Sequence, residues 1–192
     1  LAALAAPTAA AAQPLVRAAG GRAWMVGGSV RDLLLGARQV KDVDLEVFGL
    51  EPPRVQEVIG QRFAFDACGL SFGVLKLRHI AVDVALPRRE SKRGTGHRGF
   101  LVDADPHLSI PEAASRRDFT VNALYYDPLA GVLEDPYGGG MDLRRRILRH
   151  DPARRAQEGE AAPDRDALRE QLRPFLEEPF GRESFRRHRS SG

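Results

Sequence analysis

Cysteine is nearly absent: Cys68 stands alone among 192 residues, which excludes a disulfide framework or a thiolate-ligated metal cluster within one chain. Its setting, Phe65-Asp66-Ala67-Cys68-Gly69 beside an apolar run, reads as a buried structural thiol. Lysine is almost as scarce. Lys41, Lys76 and Lys92 are the only ones, so the 29 basic residues are overwhelmingly arginine. No apolar run approaches the ~20 residues of a bilayer-crossing helix. The alanine-rich start also lacks the basic n-region of a secretory signal. These absences predict a soluble chain without a membrane partner.

What is present has the balance of an ordinary globular domain, with 43% hydrophobic and 29% charged residues. A chain of this length holds one domain with its own core and at most an appendage. The formal net charge is only +3. Arginine nevertheless binds phosphate bidentately, so the arginine bias is compatible with nucleic acid or a nucleotide as partner. A solvated surface accounts for most such residues in any protein.

The stretch from Gly27 to Glu46 organises the rest. The apolar run Ala23-Trp24-Met25-Val26 ends at Gly27-Gly28 and passes into a helical pattern over Val30 to Leu35, closed by Gly36. A strand that turns through glycines into a helix presents backbone N–H groups to an anion. Residues Val40 to Phe48 then alternate as a strand, with Asp42, Asp44 and Glu46 on one face and Val43, Leu45 and Val47 on the other. Like charges that close repel unless a cation lies between them, which points to magnesium.

Elsewhere the pattern predicts helices over Pro14 to Gly20, from Glu51-Pro52-Pro53 through Ile59, from Ile110 onward and over Met141 to Arg146. Strand-like runs cover Arg62 to Asp66, Phe72 to Leu77 and Ile80 to Leu86, while Val121 to Tyr126 reads as apolar and Val132 to Glu134 as a return strand. Asp83 interrupts the third of these, either as a further metal carboxylate or as a structural acceptor. Residues Pro87 to His107 read as a polar loop carrying Arg88, Arg89, Lys92, Arg93, His97 and Arg98. Beyond Asp151 valine and isoleucine vanish, and one short helix, from about Pro163 to Leu176, is expected in an otherwise loosely ordered tail.

Three motifs in this order, Gly-Gly-Ser-Val-Arg-Asp at 27–32, Asp-Val-Asp at 42–44 and Arg-Arg-Asp-Phe-Thr-Val-Asn-Ala-Leu at 116–124, resemble the catalytic head of the bacterial CCA-adding tRNA nucleotidyltransferase and poly(A) polymerase family, within the polymerase-β-like nucleotidyltransferases. The resemblance runs from about Ala23 to His150. It implies an α+β fold, a small mixed sheet with flanking helices, with the head at 21–150. Residues 1–20 would be an alanine-rich helix or tail, and 151–192 a polar tail rather than complete neck, body and tail domains. It implies transfer of CMP or AMP from CTP or ATP to the 3′ end of RNA, most readily tRNA, with magnesium as cofactor and a cytoplasmic location. Asp42 and Asp44 would hold the metal, with Asp83 as a candidate third carboxylate. Gly27, Gly28, Arg31 and Arg117 would bind the triphosphate, Asp118 would orient Arg117, and Asn122 would touch the nucleotide or brace the loop. From the residues alone, Arg116-Arg117-Asp118 is equally a salt-bridged helix face. Poly(A) synthesis and a degenerate head that binds without catalysis are the alternatives. A dinucleotide-binding domain is disfavoured, because the acid pair follows too soon after the glycines.

One departure from the family matters. Its neck opens with Glu-Asp-X-X-Arg, which pairs with the incoming base. The nearest echo here, Glu177-Glu178-Pro179-Phe180-Gly181, has glutamate for the aspartate and glycine for the arginine. Base recognition is therefore not carried over. The leucine at position 1 and the altered tail lead to the expectation of a fragment, a frameshifted product or a free-standing head.

Overall fold

The computed structural model describes residues 7–37, 40, 42–66, 74–92 and 100–150. Cys68, the loop residues Arg93, His97 and Arg98, and the whole 151–192 tail with its expected helix lie outside them.

The chain opens with helix α1 (Pro7–Ala18), then β1 (Arg22–Val26), α2 (Gly28–Leu34), β2 (Val43–Phe48) and α3 (Pro52–Gly60). Next come β3 (Phe65–Asp66), β4 (Val74–Leu77), β5 (Val82–Ala85), β6 (Arg88–Lys92) and β7 (Phe100–Ala104). Helix α4 (Ile110–Ala114), a 3-10 turn at Thr120–Asn122, β8 (Tyr125–Asp127), β9 (Val132–Glu134) and α5 (Gly139–Arg145) complete the described part. Seven strands form one mixed sheet in the order β3-β4-β5-β2-β1-β8-β9, so the expected α+β class is what the fold shows. Among the described residues only β2 and β5 pair in parallel; β1 pairs antiparallel with both β2 and β8.

Alternation along the strands gives the sheet two unlike faces. Ala23, Met25, Val43, Leu45, Val47, Val82, Val84 and Tyr126 belong to the main apolar core, joined by Ala12 and Val16 of α1, Leu33 of α2 and Val58 and Ile59 of α3. Burying each large side chain here stabilises by about 1.5–3 kcal/mol. The opposite face carries Trp24, Val26 and Tyr125, packed with Leu108, Ala113, Ala114 and Ala123. Tyr125 meets Phe48 edge to face at 6.2 Å between ring centroids. The same face bears Asp44 and Glu46.

Three local outcomes differ from the sequence pattern. Helix α1 starts seven residues before Pro14 and carries that proline inside it. Its alanines favour the helix, and packing holds it: Ala12, Gln13 and Val16 are buried, and Gln13 Nε2 donates to the Ala23 carbonyl at 2.9 Å. Strand β2 begins at Val43 rather than Val40, because the neighbouring backbone becomes available only there; the Val43 N–H donates to the Ala81 carbonyl at 2.9 Å, and Val43 faces Val82 as the first pair. Asp42 consequently sits in an exposed bend ahead of the strand. The polar segment expected as a loop contains the β6–β7 hairpin, with Arg88 opposite Ala104.

Candidate functional site

At the end of β1 the chain turns through Gly27, whose φ of 73° and ψ of −143° suit glycine almost alone. Space demands glycine as well. A Cβ there would lie 3.0 Å from Arg117 Nη1 and 3.6 Å from Asp44 Oδ2, so Gly27 is the thin partition between a cation and an anion. A Cβ on Gly28 would come within 3.3 Å of Arg31 Nη2. Helix α2 is only seven residues long, so the positive potential arises chiefly from side chains rather than from its dipole.

Those side chains line a cavity of about 310 Å³ bounded by Gly28, Arg31, Arg88, Arg116, Arg117, Asp118 and Asn122. Arg31 is fixed from two sides: its Nε donates to Asp32 Oδ1 and its Nη1 to Asn122 Oδ1, each at 2.8 Å. Asn122 comes from the 3-10 turn, itself anchored below. Thr120 Oγ1 donates to the fully buried Asp142 at 2.7 Å, and Arg149 Nη2 donates to the other Asp142 oxygen at 2.6 Å. Gly139 presses against that turn so closely that a Cβ would fall 2.0 Å from the Thr120 carbonyl oxygen. Arg117 Nε is buried without a hydrogen-bond partner among the described residues.

Asp44 stands opposite Val26 on β1 and beside Asp83 on β5. Asp44 keeps an exposed edge, yet partial burial pushes its carboxyl above the usual carboxylate range; Arg117 pulls it back, and the negative charges of Asp83 and Glu46 push it up further. Asp83 is half-buried and pairs with Lys76 at 3.6 Å. Glu46 is 0% exposed, accepting from Arg116 Nη2 at 2.8 Å and from the Tyr125 hydroxyl at 2.7 Å. Burial and the Glu46 charge hold the Tyr125 hydroxyl firmly protonated.

Of the residues singled out in the sequence, Gly28, Arg31, Arg117, Asp118 and Asn122 share one cavity, with Gly27 and Asp44 against Arg117. Asp42 lies in the bend before β2, and Asp118 is exposed at the cavity rim. Sequence reasoning missed Arg88 as a lining residue, the buried acids Glu46 and Asp142, and the Tyr125 hydroxyl. For Glu46 a signal existed, its period-two spacing from Asp44, but spacing shows a shared face and not burial.

A sheet whose first strand turns through paired glycines beside an acidic second strand, with arginines gathered over the turn, defines a nucleotidyltransferase head. Solved structures agree. The chain is similar to the Bacillus stearothermophilus CCA-adding enzyme in complex with CTP, at 30% identity and a TM-score of 0.57, covering 77% of this chain and 34% of that one. It is also similar to a tRNA nucleotidyltransferase complexed with a primer tRNA and an incoming ATP analog, at 30% identity and a TM-score of 0.56, covering 76% and 40%. A family model described as the poly A polymerase head domain matches residues 23–149, and the chain belongs to that family. Among curated relatives, the multifunctional CCA protein of Xylella fastidiosa (strain 9a5c) is 42% identical over 129 residues, and that of Stenotrophomonas maltophilia (strain K279a) is 42% identical over 127. These matches take in 67% and 66% of this chain, which spans 30% of the length of either relative.

Proposed function

We propose that this chain is the head of an enzyme that transfers CMP and AMP from CTP and ATP to the 3′ end of tRNA, by nucleotidyl transfer of the two-metal type. The observation that carries the reading is the gathering of Arg31, Arg88, Arg116 and Arg117 around one cavity, with Gly27 close to both Arg117 and Asp44. Four guanidinium groups facing one space repel one another, and a triphosphate relieves that repulsion while matching their bidentate geometry. The names of the relatives favour CCA addition over poly(A) synthesis.

The donors near Asp44 suit magnesium. Its carboxyl is destabilised as an anion by burial and by neighbouring acids, a setting that a hard cation reverses. Among the described residues no three His, Cys, Asp or Glu side chains converge on a metal site. A magnesium site of the proposed kind draws on one or two carboxylates and shares the ion with substrate phosphates. Asp42 and Asp44 would hold it, with Asp83 beside Asp44 as a further candidate. When bound, magnesium lowers the pKa of the attacking 3′-hydroxyl and offsets charge on the α-phosphate and pyrophosphate. Arg31, held by Asp32 and Asn122, binds the triphosphate without losing further rotamer freedom. Arg117 binds beside it, oriented by Asp118, and Gly27 and Gly28 allow the backbone to approach the phosphates.

The test is transfer of label from radioactive CTP to tRNA lacking its CCA end, comparing wild type with Asp44→Ala, with and without magnesium. Label entering tRNA only with wild type and magnesium supports the reading, and products that stop at CCA separate it from poly(A) synthesis. Equal incorporation by both proteins, or none by either, contradicts it.

A further inference from the structure

The four cavity arginines are not held alike. Arg31 is braced by two polar neighbours at the cavity wall, whereas Arg116 reaches inward to Glu46, a carboxylate with no exposure at all. We propose that Glu46, oriented by Tyr125, is a positioning residue that fixes the Arg116 guanidinium in the cavity for the polyphosphate of the incoming nucleotide. The inference rests on the nucleotide-binding reading above and adds a residue outside the three motifs to it.

The bridge runs from the interior outward. The Glu46 side chain is 0% exposed and that of Arg116 only 14%, and Arg116 lines the cavity. The two Glu46 oxygens have separate tasks. Oε2 accepts from the Tyr125 hydroxyl and Oε1 from Arg116 Nη2, so Tyr125 sets the direction in which Glu46 presents its second oxygen. Tyr125 cannot swing away: it is wholly buried, its ring edge meets Phe48, and Trp24 lies opposite Glu46 in the β1–β2 register.

Such an arrangement is a poor choice for stability alone. A buried ion pair is replaceable by apolar residues of similar volume with little loss or even a gain, because both charges must be stripped of water. Its distinctive effect is geometric. A free arginine side chain loses much rotamer freedom on grasping a phosphate, and a pre-fixed one has already lost it. The carboxylate also lets a fourth guanidinium sit among Arg31, Arg88 and Arg117 before any anion arrives.

The experiment is a double-mutant cycle on nucleotide affinity with the whole chain, using Glu46→Gln, Arg116→Gln and the pair, with magnesium–CTP and magnesium–CMP titrated calorimetrically. Thermal melts of each variant run alongside. Each single variant should lose about tenfold in CTP affinity and far less in CMP affinity, and the pair should be no worse than Arg116→Gln, since Glu46 acts through that residue. Should Glu46→Gln fold poorly, Tyr125→Phe replaces it in the cycle, with a smaller loss of CTP affinity that again disappears in the Arg116→Gln background. Additive losses, or equal losses for CTP and CMP, would overturn the positioning role and leave Glu46 structural. If wild type itself binds no nucleotide, the nucleotide-binding reading fails instead.

Discussion

The two faces of the central sheet come from the same strands, residue by residue, yet obey opposite rules. One face, with Met25, Leu45, Val47 and Val84, is dry and apolar and closes against α1, α2 and α3. The other carries Asp44 and Glu46 from β2 beside Trp24, Val26 and Tyr125, and looks toward the arginines. The first gains from every methylene it hides. The second hides charge at a cost and recovers it through pairing. Stability and the proposed chemistry are thus assigned to the two sides of a single pleated strand, in which a shift of one residue exchanges the faces.

The largest break in this contrast should come from the apolar side. Leu45→Ala, at a fully buried position, is expected to cost about 2–5 kcal/mol of stability, read by denaturant unfolding, while nucleotide affinity of the folded fraction stays unchanged. A loss of affinity without loss of stability would show that the faces are not separate. One residue earlier the expectation inverts. Asp44→Ala should lower label transfer at least about 100-fold, ~2.7 kcal/mol in barrier, with a thermal melt no lower than that of wild type. Retention of more than about a tenth of the rate, a loss under ~1.4 kcal/mol, would remove Asp44 from the metal site.

How legible was this division beforehand? The turn at Gly27-Gly28 and the alternation of β2 could be read directly, because glycine tolerance of positive φ and a period of two are local properties. The fate of each acid on that strand could not. Asp44 stays near the cavity while Glu46 is sealed, and what decides this is Arg116, 70 residues away, and Tyr125, 79 away. Arg31 shows the same limit, since its Asn122 partner is 91 residues distant. Asp42 shifted from strand to bend because β5 offers its first backbone partner only at Val43. Pro14, a local helix-breaking signal, was overridden by burial of Ala12 and Val16.

A finer cut within the charged face is Tyr125→Phe. It leaves a wholly buried Glu46 oxygen without its hydroxyl donor and should cost about 1–3 kcal/mol of stability, measured by thermal or denaturant unfolding. An unchanged stability would mean that water or another group replaces the hydroxyl easily. The smallest expected effect concerns protonation. Because burial raises the folded-state pKa of Asp44 above its ordinary value, its ionised form penalises the fold. The penalty is absent below the ordinary carboxylate pKa, grows as pH rises through the raised value and is complete above it. Asp44→Asn should therefore melt slightly higher than wild type at neutral pH, with the gap closing as pH falls into the acid range, all without divalent cations. Added magnesium should narrow the gap by stabilising wild type, and a gap that widens toward low pH would refute the sign of the shift.

On the proposed reading, the charged face binds a nucleoside triphosphate through guanidinium groups beside a carboxylate-held metal. Calorimetric titration of wild type, Arg117→Ala and Arg31→Ala with CTP and ATP in magnesium, repeated with a chelator, tests it most directly. Wild type should bind both nucleotides weakly with little preference between them, with binding lost with chelator and reduced alike for CTP and ATP in either variant, since phosphate contacts carry no base information. Binding indifferent to both substitutions, or a variant that loses one nucleotide only, would contradict it.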